Sequence, residues 1–222
     1  MMRQIALPVV AVFVTLVVMS PAALSRSFGI KAGISYAEFT FDYHLTGPSK
    51  VGTAANASRR QGIDIGLFIE YNPLPLIAIS PELHFVQRGS QQRIPLFDEQ
   101  GSPLLGIPAV IDYRLTYISV PVLLRVHTSL GGSGLVLSAG PSLNILADVA
   151  PDAERYIESF FQSEFNSTVL GAEAGVGVEF GVPGSLSFLV ELHFQWDINP
   201  ALTSESVDIK NRSISLVGGL KF

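Results

Sequence analysis

Strict two-residue alternation in residues 186–198, LSFLVELHFQWDI, constrains the fold more than any other feature of the sequence. Every even-numbered position of this segment is apolar, while the odd-numbered positions include Glu191, His193 and Gln195. Because successive side chains of a strand point to opposite faces, the segment predicts a strand with one apolar and one polar face. Whether the apolar face meets lipid or the protein interior then decides between a membrane protein and a soluble one.

The same alternation recurs along the chain and predicts eight strands, at 28–36, 61–71, 77–88, 115–127, 135–149, 168–180, 186–198 and 207–222. Most of them reach the roughly 9–11 residues that cross a bilayer at a tilt. The connections alternate between short turns, at 72–75, 129–134 and 181–185, and longer segments, at 41–60, 89–112, 149–166 and 199–206. Short periplasmic turns and longer external loops are typical of outer-membrane barrels.

The composition favours a membrane barrel and excludes several other classes. Charged residues make up 15% of the chain, against about 25% in typical soluble domains. The mean hydropathy is +0.40, yet no segment after residue 25 has the roughly 18 continuous apolar residues of a spanning helix. The absence of cysteine excludes disulfides and thiolate metal sites, and the net charge of −5 argues against a nucleic-acid partner.

The first 25 residues, MMRQIALPVVAVFVTLVVMSPAALS, have the features of a secretory signal. Arg3 precedes an apolar run, and small residues near Ser25 fit a cleavage site. We therefore expect a signal peptide over 1–25 and one barrel domain over 26–222, carried to the bacterial outer membrane. The alternative is an uncleaved membrane anchor.

Alternation alone does not tell a membrane barrel from a soluble lipocalin-like carrier, which has its apolar face inside. The polar face here is rich in Gly and Ser and carries scattered charges of both signs, unlike a typical water-facing surface. We therefore expect it to line a narrow lumen that side chains fill, as eight strands allow. The predicted structural network of the lumen consists of Lys31, Asp64, Glu70, Glu82, His84, Arg88, Arg125, His127, Glu173, Glu179, Glu191 and His193.

The sequence offers only weak candidates for a metal-binding or catalytic site. The three lumen histidines are expected to pack in the polar core rather than to bind metal. His44 with Asp42 and Ser49 could belong to a lipid-modifying site, although a loop histidine is usually just solvated. Residues 152–165 have helical spacing and could form a lid or partner-binding element. We predict no enzymatic activity, no metal and no cofactor.

Four segments carry a family resemblance: GIKAGIS at 29–35, SPELHFVQRGS at 80–90, YISVPVLLRVH at 117–127 and LSAGPSLNILAD at 137–148. With the N-terminal signal and Phe222, they make the chain resemble the PorT-like outer-membrane β-barrel proteins. The resemblance covers nearly the whole mature chain and implies an eight-stranded antiparallel up-and-down transmembrane barrel. It also implies that Phe222 is a signal for the barrel-assembly machinery. The family's name-giving member is associated with protein secretion and gliding.

The predicted function is an integral outer-membrane barrel with a filled lumen and a structural, interaction or secretion-accessory role. Outer-membrane lipid, the barrel-assembly machinery and a protein at the long loops are the expected partners. One alternative is a channel for small solutes or hydrophobic compounds, and another is the soluble lipocalin-like carrier.

Overall fold

The computed structural model describes residues 25–43, 57–94, 109–130, 133–150, 165–181, 186–204 and 207–222. These ranges contain nine strands: β1 Ser25–Tyr43, β2 Ala57–Leu74, β3 Ile77–Ile94, β4 Ala109–Leu130, β5 Ser133–Val149, β6 Thr168–Phe180, β7 Ser187–Asp197, β8 Leu202–Thr203 and β9 Val207–Lys221. Apart from Ser25, the predicted signal peptide lies outside the described residues.

The strands form a closed antiparallel barrel. Each of β1 to β7 pairs with the next strand in the chain, β7 pairs with β9, and β9 pairs back with β1. The closing pair runs from Gly29 opposite Lys221 to Tyr43 opposite Val207. The two-residue β8 lies beside the start of β9, so the barrel itself has eight strands. The predicted up-and-down fold is confirmed.

The apolar faces point outward and the polar faces point into the lumen. Leu124, Phe188 and Leu216 are 52%, 56% and 48% exposed, whereas Lys31 and Glu82 are 2% and 0% exposed. The lipocalin-like alternative needs the reverse arrangement and does not fit. Among the described residues, no helix is long and apolar enough to span a membrane.

The strands are longer than predicted. Residues 72–74, 129–130 and 133–134, predicted as turn, are strand, and the larger extensions lie at the other end of the barrel. β1 continues to Tyr43, β2 starts at Ala57, and β3 and β4 remain paired out to Ile94 opposite Ala109. Residues 41–43, 57–60, 89–94 and 109–112, predicted as loop, are therefore strand. We call this the long-connection end, since the connections 44–56, 95–108 and 151–164 lie there; the opposite end is the short-turn end.

A reversal of the alternation explains these extensions. On β1 the outward side changes from apolar residues up to Tyr36 to Glu38, Thr40 and Asp42. On the inward side, Ser35 gives way to the buried Ala37 and Phe39. Beyond the lipid, the outward face meets water, and the inward face can bury apolar side chains as the core of a soluble domain does.

Inward-facing residues next to these extensions form an apolar cluster that fills the long-connection end. Its buried members are Phe39, Val86, Tyr113, Leu115, Tyr117, Val169, Ala201, Leu202, Val207 and Ile209. Phe165, at the end of the predicted helical segment, packs against it and forms a bridge with Leu202. The rest of segment 152–165 lies outside the described residues.

The exposed apolar side chains form a band around the outside of the barrel, which we call the apolar band. Aromatic side chains flank this band, with one exception. Tyr36, Trp196 and Phe222 are 41%, 45% and 49% exposed, in keeping with a position at an interface. Tyr71 on β2 is the exception and is only 9% exposed. It lies at a register shift between Tyr71 and Leu74.

Candidate functional site

Lys31 occupies the centre of the lumen, with no side-chain exposure. Its Nζ lies 2.9 Å from Glu82 Oε2 on β3 and 2.7 Å from Glu191 Oε2 on β7. These two strands lie four places apart around the barrel, so the ammonium group joins opposite walls. It also lies 4.8 Å from the centre of the Phe68 ring, within cation–π distance.

A histidine stands between two carboxylates on each of these walls. His84 Nδ1 lies 2.7 Å from Asp64 Oδ1, and its Nε2 lies 2.8 Å from Glu82 Oε2. On the opposite wall, His193 Nδ1 lies 2.6 Å from Glu173 Oε1, and its Nε2 lies 3.2 Å from Glu191 Oε2. Both nitrogens of each imidazole therefore lie within hydrogen-bond distance of a carboxylate.

The two walls share a local sequence that accounts for their similar geometry. Glu-Leu-His-Phe occurs at 82–85 on β3 and again at 191–194 on β7. Each histidine faces a glycine on the preceding strand, Gly66 or Gly175. A Cβ at Gly66 would lie 2.7 Å from the His84 ring, so the ring occupies space that only glycine leaves open. The repeated tetrapeptide is a sequence signal that becomes visible only when the strands are compared with one another.

A second layer lies on the long-connection side of Lys31 and is built mainly from uncharged polar groups. Arg88 Nη2 donates to Gln195 Oε1 and, at 3.4 Å, to Asn144 Oδ1. Gln195 Nε2 donates to Ser142 Oγ at 3.0 Å, and the Arg88 guanidinium lies 5.5 Å from the centre of the Tyr117 ring. A small cavity between this layer and the two histidines has room for about one water molecule.

A third layer closes the short-turn end. Arg125 contacts Glu191 and lies 3.5 Å from Glu70 Oε2. His127 Nε2 lies 2.7 Å from Glu70 Oε1, and Lys221 Nζ lies 2.5 Å from Glu179 Oε1. The His127, Glu179 and Lys221 side chains are 15–21% exposed, which places this layer at the mouth of the lumen.

The twelve residues predicted to line the lumen thus all lie inside it, ten of them buried. The predicted network left out the polar partners Asn144, Gln195 and Asp197, although the alternation in 186–198 puts Gln195 and Asp197 on the same face as Glu191. Within the described part of the chain, no group of three or more His, Asp or Glu side chains could hold a metal ion. In the suggested lipid-modifying site, Asp42 lies 3.4 Å from Lys210 Nζ, while His44 and Ser49 lie outside the described residues.

Phe222, the predicted assembly signal, lies against the first strand at the short-turn end. Its ring stacks on Phe28 with the centroids 5.3 Å apart. Its backbone N–H donates to Phe28 O at 2.8 Å, and its carbonyl accepts from Phe28 N at 3.2 Å. The residue therefore closes the seam between β1 and β9.

Comparison with solved structures gives outer-membrane barrels at low identity. The outer membrane protein OprG of Pseudomonas aeruginosa is 14% identical with a TM-score of 0.54, over 90% of this chain and 97% of that one. Neisserial surface protein A is 13% identical with a TM-score of 0.49, over 89% and 97% of the two chains. The outer membrane protease OmpT of Escherichia coli is 10% identical with a TM-score of 0.46, over 91% and 99%. At these identities the likeness to OprG shows the fold alone.

A comparison with curated proteins gave no match. The family model described as outer membrane protein beta-barrel domain matches residues 20–203, which is most of the chain. The matched segment includes β1 to β8, with every histidine and carboxylate of the two walls. The chain therefore belongs to the outer membrane protein beta-barrel domain family.

Proposed function

We propose that this outer-membrane barrel has a structural or interaction role and does not conduct solutes through its lumen. The observation that carries the proposal is the stack of side-chain layers from one end of the lumen to the other. The carboxylates around His127 lie at the short-turn end, the Lys31 and Arg88 layers follow, and the cluster around Tyr117 and Leu115 fills the long-connection end.

The energetics of these layers favour a permanently filled interior. Burying an ion without a partner costs several kcal/mol, and removing one member of a buried pair costs about 3–5 kcal/mol. Opening a path past Lys31 would separate it from Glu82 and Glu191, both of which are buried. The apolar cluster above would in addition have to expose its aromatic rings to water.

If the lumen is filled, the protein acts through its outer surface and its connections. We place the long-connection end outside the cell, as in barrels with short periplasmic turns. The connections 44–56, 95–108 and 151–164 would then present any protein-binding surface. A secretion-accessory role is one finer form of this proposal; the name-giving member of the PorT-like proteins, which this chain resembles, is associated with protein secretion.

Conductance in planar lipid bilayers tests the proposal directly. We expect no single-channel current from the purified barrel, because the charged layers and the apolar cluster occupy the lumen in series. A porin of known conductance in the same membranes provides the positive control. Reproducible current steps from the wild-type barrel would contradict the proposal and favour the alternative of a solute channel.

We also propose that Phe222 acts as the assembly signal. Replacing it with alanine keeps the backbone hydrogen bonds to Phe28 and removes only the ring. We expect Phe222→Ala to lower the amount of barrel in the outer membrane of cells while refolding in detergent is unchanged. Phe188→Ala is the matched control, because Phe188 is also an outward, exposed phenylalanine near this end. Equal membrane levels of both variants and the wild type would refute the assembly role.

A further inference from the structure

We propose that the outward face of the barrel carries a binding site for the phosphate groups of outer-leaflet lipid headgroups. Arg59 on β2 and Arg212 on β9 form it, with Glu38 on β1 between them. The placement of this site on the outer leaflet rests on the orientation proposed above. The site is independent of whether the lumen conducts.

The two arginines share one carboxylate and remain accessible. Arg212 Nε lies 2.6 Å from Glu38 Oε1, and Arg59 Nε lies 3.3 Å from Glu38 Oε2. The arginine side chains are 64% and 61% exposed, while that of Glu38 is 19% exposed. Two positive charges beside one negative charge leave the group with a formal charge of +1 and with exposed guanidinium donors.

Along the barrel axis, Arg59, Arg212 and Glu38 lie at the boundary of the apolar band. Towards the short-turn end on the same outward faces, Tyr36 follows Glu38 and Ile214 follows Arg212, while Gln61 and then Ile63 follow Arg59. Trp196 on β7 stands opposite Arg212 on β9 and is 45% exposed. Tryptophan and tyrosine favour the headgroup region of a membrane, so the guanidinium groups lie at the level of lipid headgroups.

The chemistry of the group favours phosphate over other headgroup components. A guanidinium presents several N–H donors in a planar fork that matches the oxygens of a phosphate. Lys210, two residues before Arg212 on β9, is paired with Asp42, so this pair adds no net charge and the excess positive charge stays on the two arginines. Basic residues at a membrane surface contribute about 1 kcal/mol each to the attraction of anionic lipid, which is about fivefold in affinity.

The single tryptophan makes the test direct, because Trp196 neighbours Arg212. The mature barrel is placed in phosphatidylcholine vesicles that contain a glycolipid with brominated acyl chains, either phosphorylated or with its phosphates removed. Quenching of Trp196 fluorescence then measures how strongly each lipid associates with this part of the barrel. We expect stronger quenching by the phosphorylated lipid.

One variant that should lower the lipid affinity and one that should raise it separate specific binding at this site from general effects on folding. The double variant Arg59→Gln/Arg212→Gln should lower the affinity for the phosphorylated lipid by about 25-fold, at about fivefold for each arginine. Glu38→Gln, which removes the competing carboxylate, should raise it. A heat-modifiability gel confirms that each variant forms the closed barrel. If the double variant does not fold, the comparison of the two lipids with the wild type still decides.

Three results would overturn the proposal. The first is equal quenching of the wild type by the phosphorylated and dephosphorylated lipids. The second is an unchanged lipid preference in the double variant. The third is displacement of the phosphorylated lipid by inorganic phosphate at low concentration, which would make free phosphate the ligand.

Discussion

Lys31→Met should destabilise the barrel by about 3–5 kcal/mol, the usual cost of removing one partner from a buried ion pair. Methionine has a similar length, so the change removes the charge with little loss of volume. It leaves the Glu82 and Glu191 carboxylates, 2.9 Å and 2.7 Å from Nζ, without the cation that joins them. Equilibrium unfolding by urea in lipid vesicles, followed by the fluorescence of Trp196, measures the change.

Lys210→Met is the matched control for this prediction. Lys210 also pairs with a carboxylate, that of Asp42, but the two side chains are 33% and 54% exposed. Exposed pairs contribute about 0–1 kcal/mol, so this variant should unfold almost like the wild type. If Lys31→Met also stays within about 1 kcal/mol of the wild type, the central ion pairs do not stabilise the barrel.

A second substitution tests whether the effect comes from the carboxylates that lose Lys31. Glu82→Gln in the Lys31→Met background replaces one of them with a neutral amide, while Glu191 is kept because it also contacts Arg125. The double variant should recover part of the lost stability, because less uncompensated charge remains in the lumen. Additive losses from the two substitutions would show that Lys31 acts through its packing against Phe68 instead.

The inward orientation of Lys31, Glu82 and Glu191 could be predicted from the sequence. Alternation is local, so one strand is enough to assign a face. Their mutual contacts could not be predicted, because Lys31 and Glu82 are 51 residues apart in sequence. Which cation meets which carboxylate depends on the diameter and stagger of the closed barrel, and no single strand encodes these quantities.

The long-connection end shows where reasoning from a single alternation pattern fails. Phe39 and Tyr113 lie in or next to segments predicted as loop, yet both are buried in the apolar cluster. Their apolar positions on β1 and β4 are odd-numbered, whereas those of the membrane-facing parts are even-numbered. A prediction that assumes one apolar face per strand ends the strand at this reversal. The predicted strands are therefore too short at this end.

The second large effect is expected from an arginine in the middle of the lipid-facing surface. Leu216 on β9 is 48% exposed and lies between Ile34 on β1 and Leu192 on β7. An arginine at the bilayer midplane of such a barrel costs about 2–4 kcal/mol. We therefore expect Leu216→Arg to lower both the yield of folding into vesicles and the free energy of unfolding.

Gln61→Arg is the control, since Gln61 is outward-facing and lies opposite Tyr36 at the edge of the apolar band. There an arginine costs about 0–1 kcal/mol, because its side chain reaches the headgroups. The native chain already has an arginine at this boundary, Arg212, four residues before Leu216 on the same face of β9. Equal folding yields for the two variants would mean that Leu216 does not face the hydrocarbon. The reversal of polarity near Tyr36 would then mark something other than the membrane boundary.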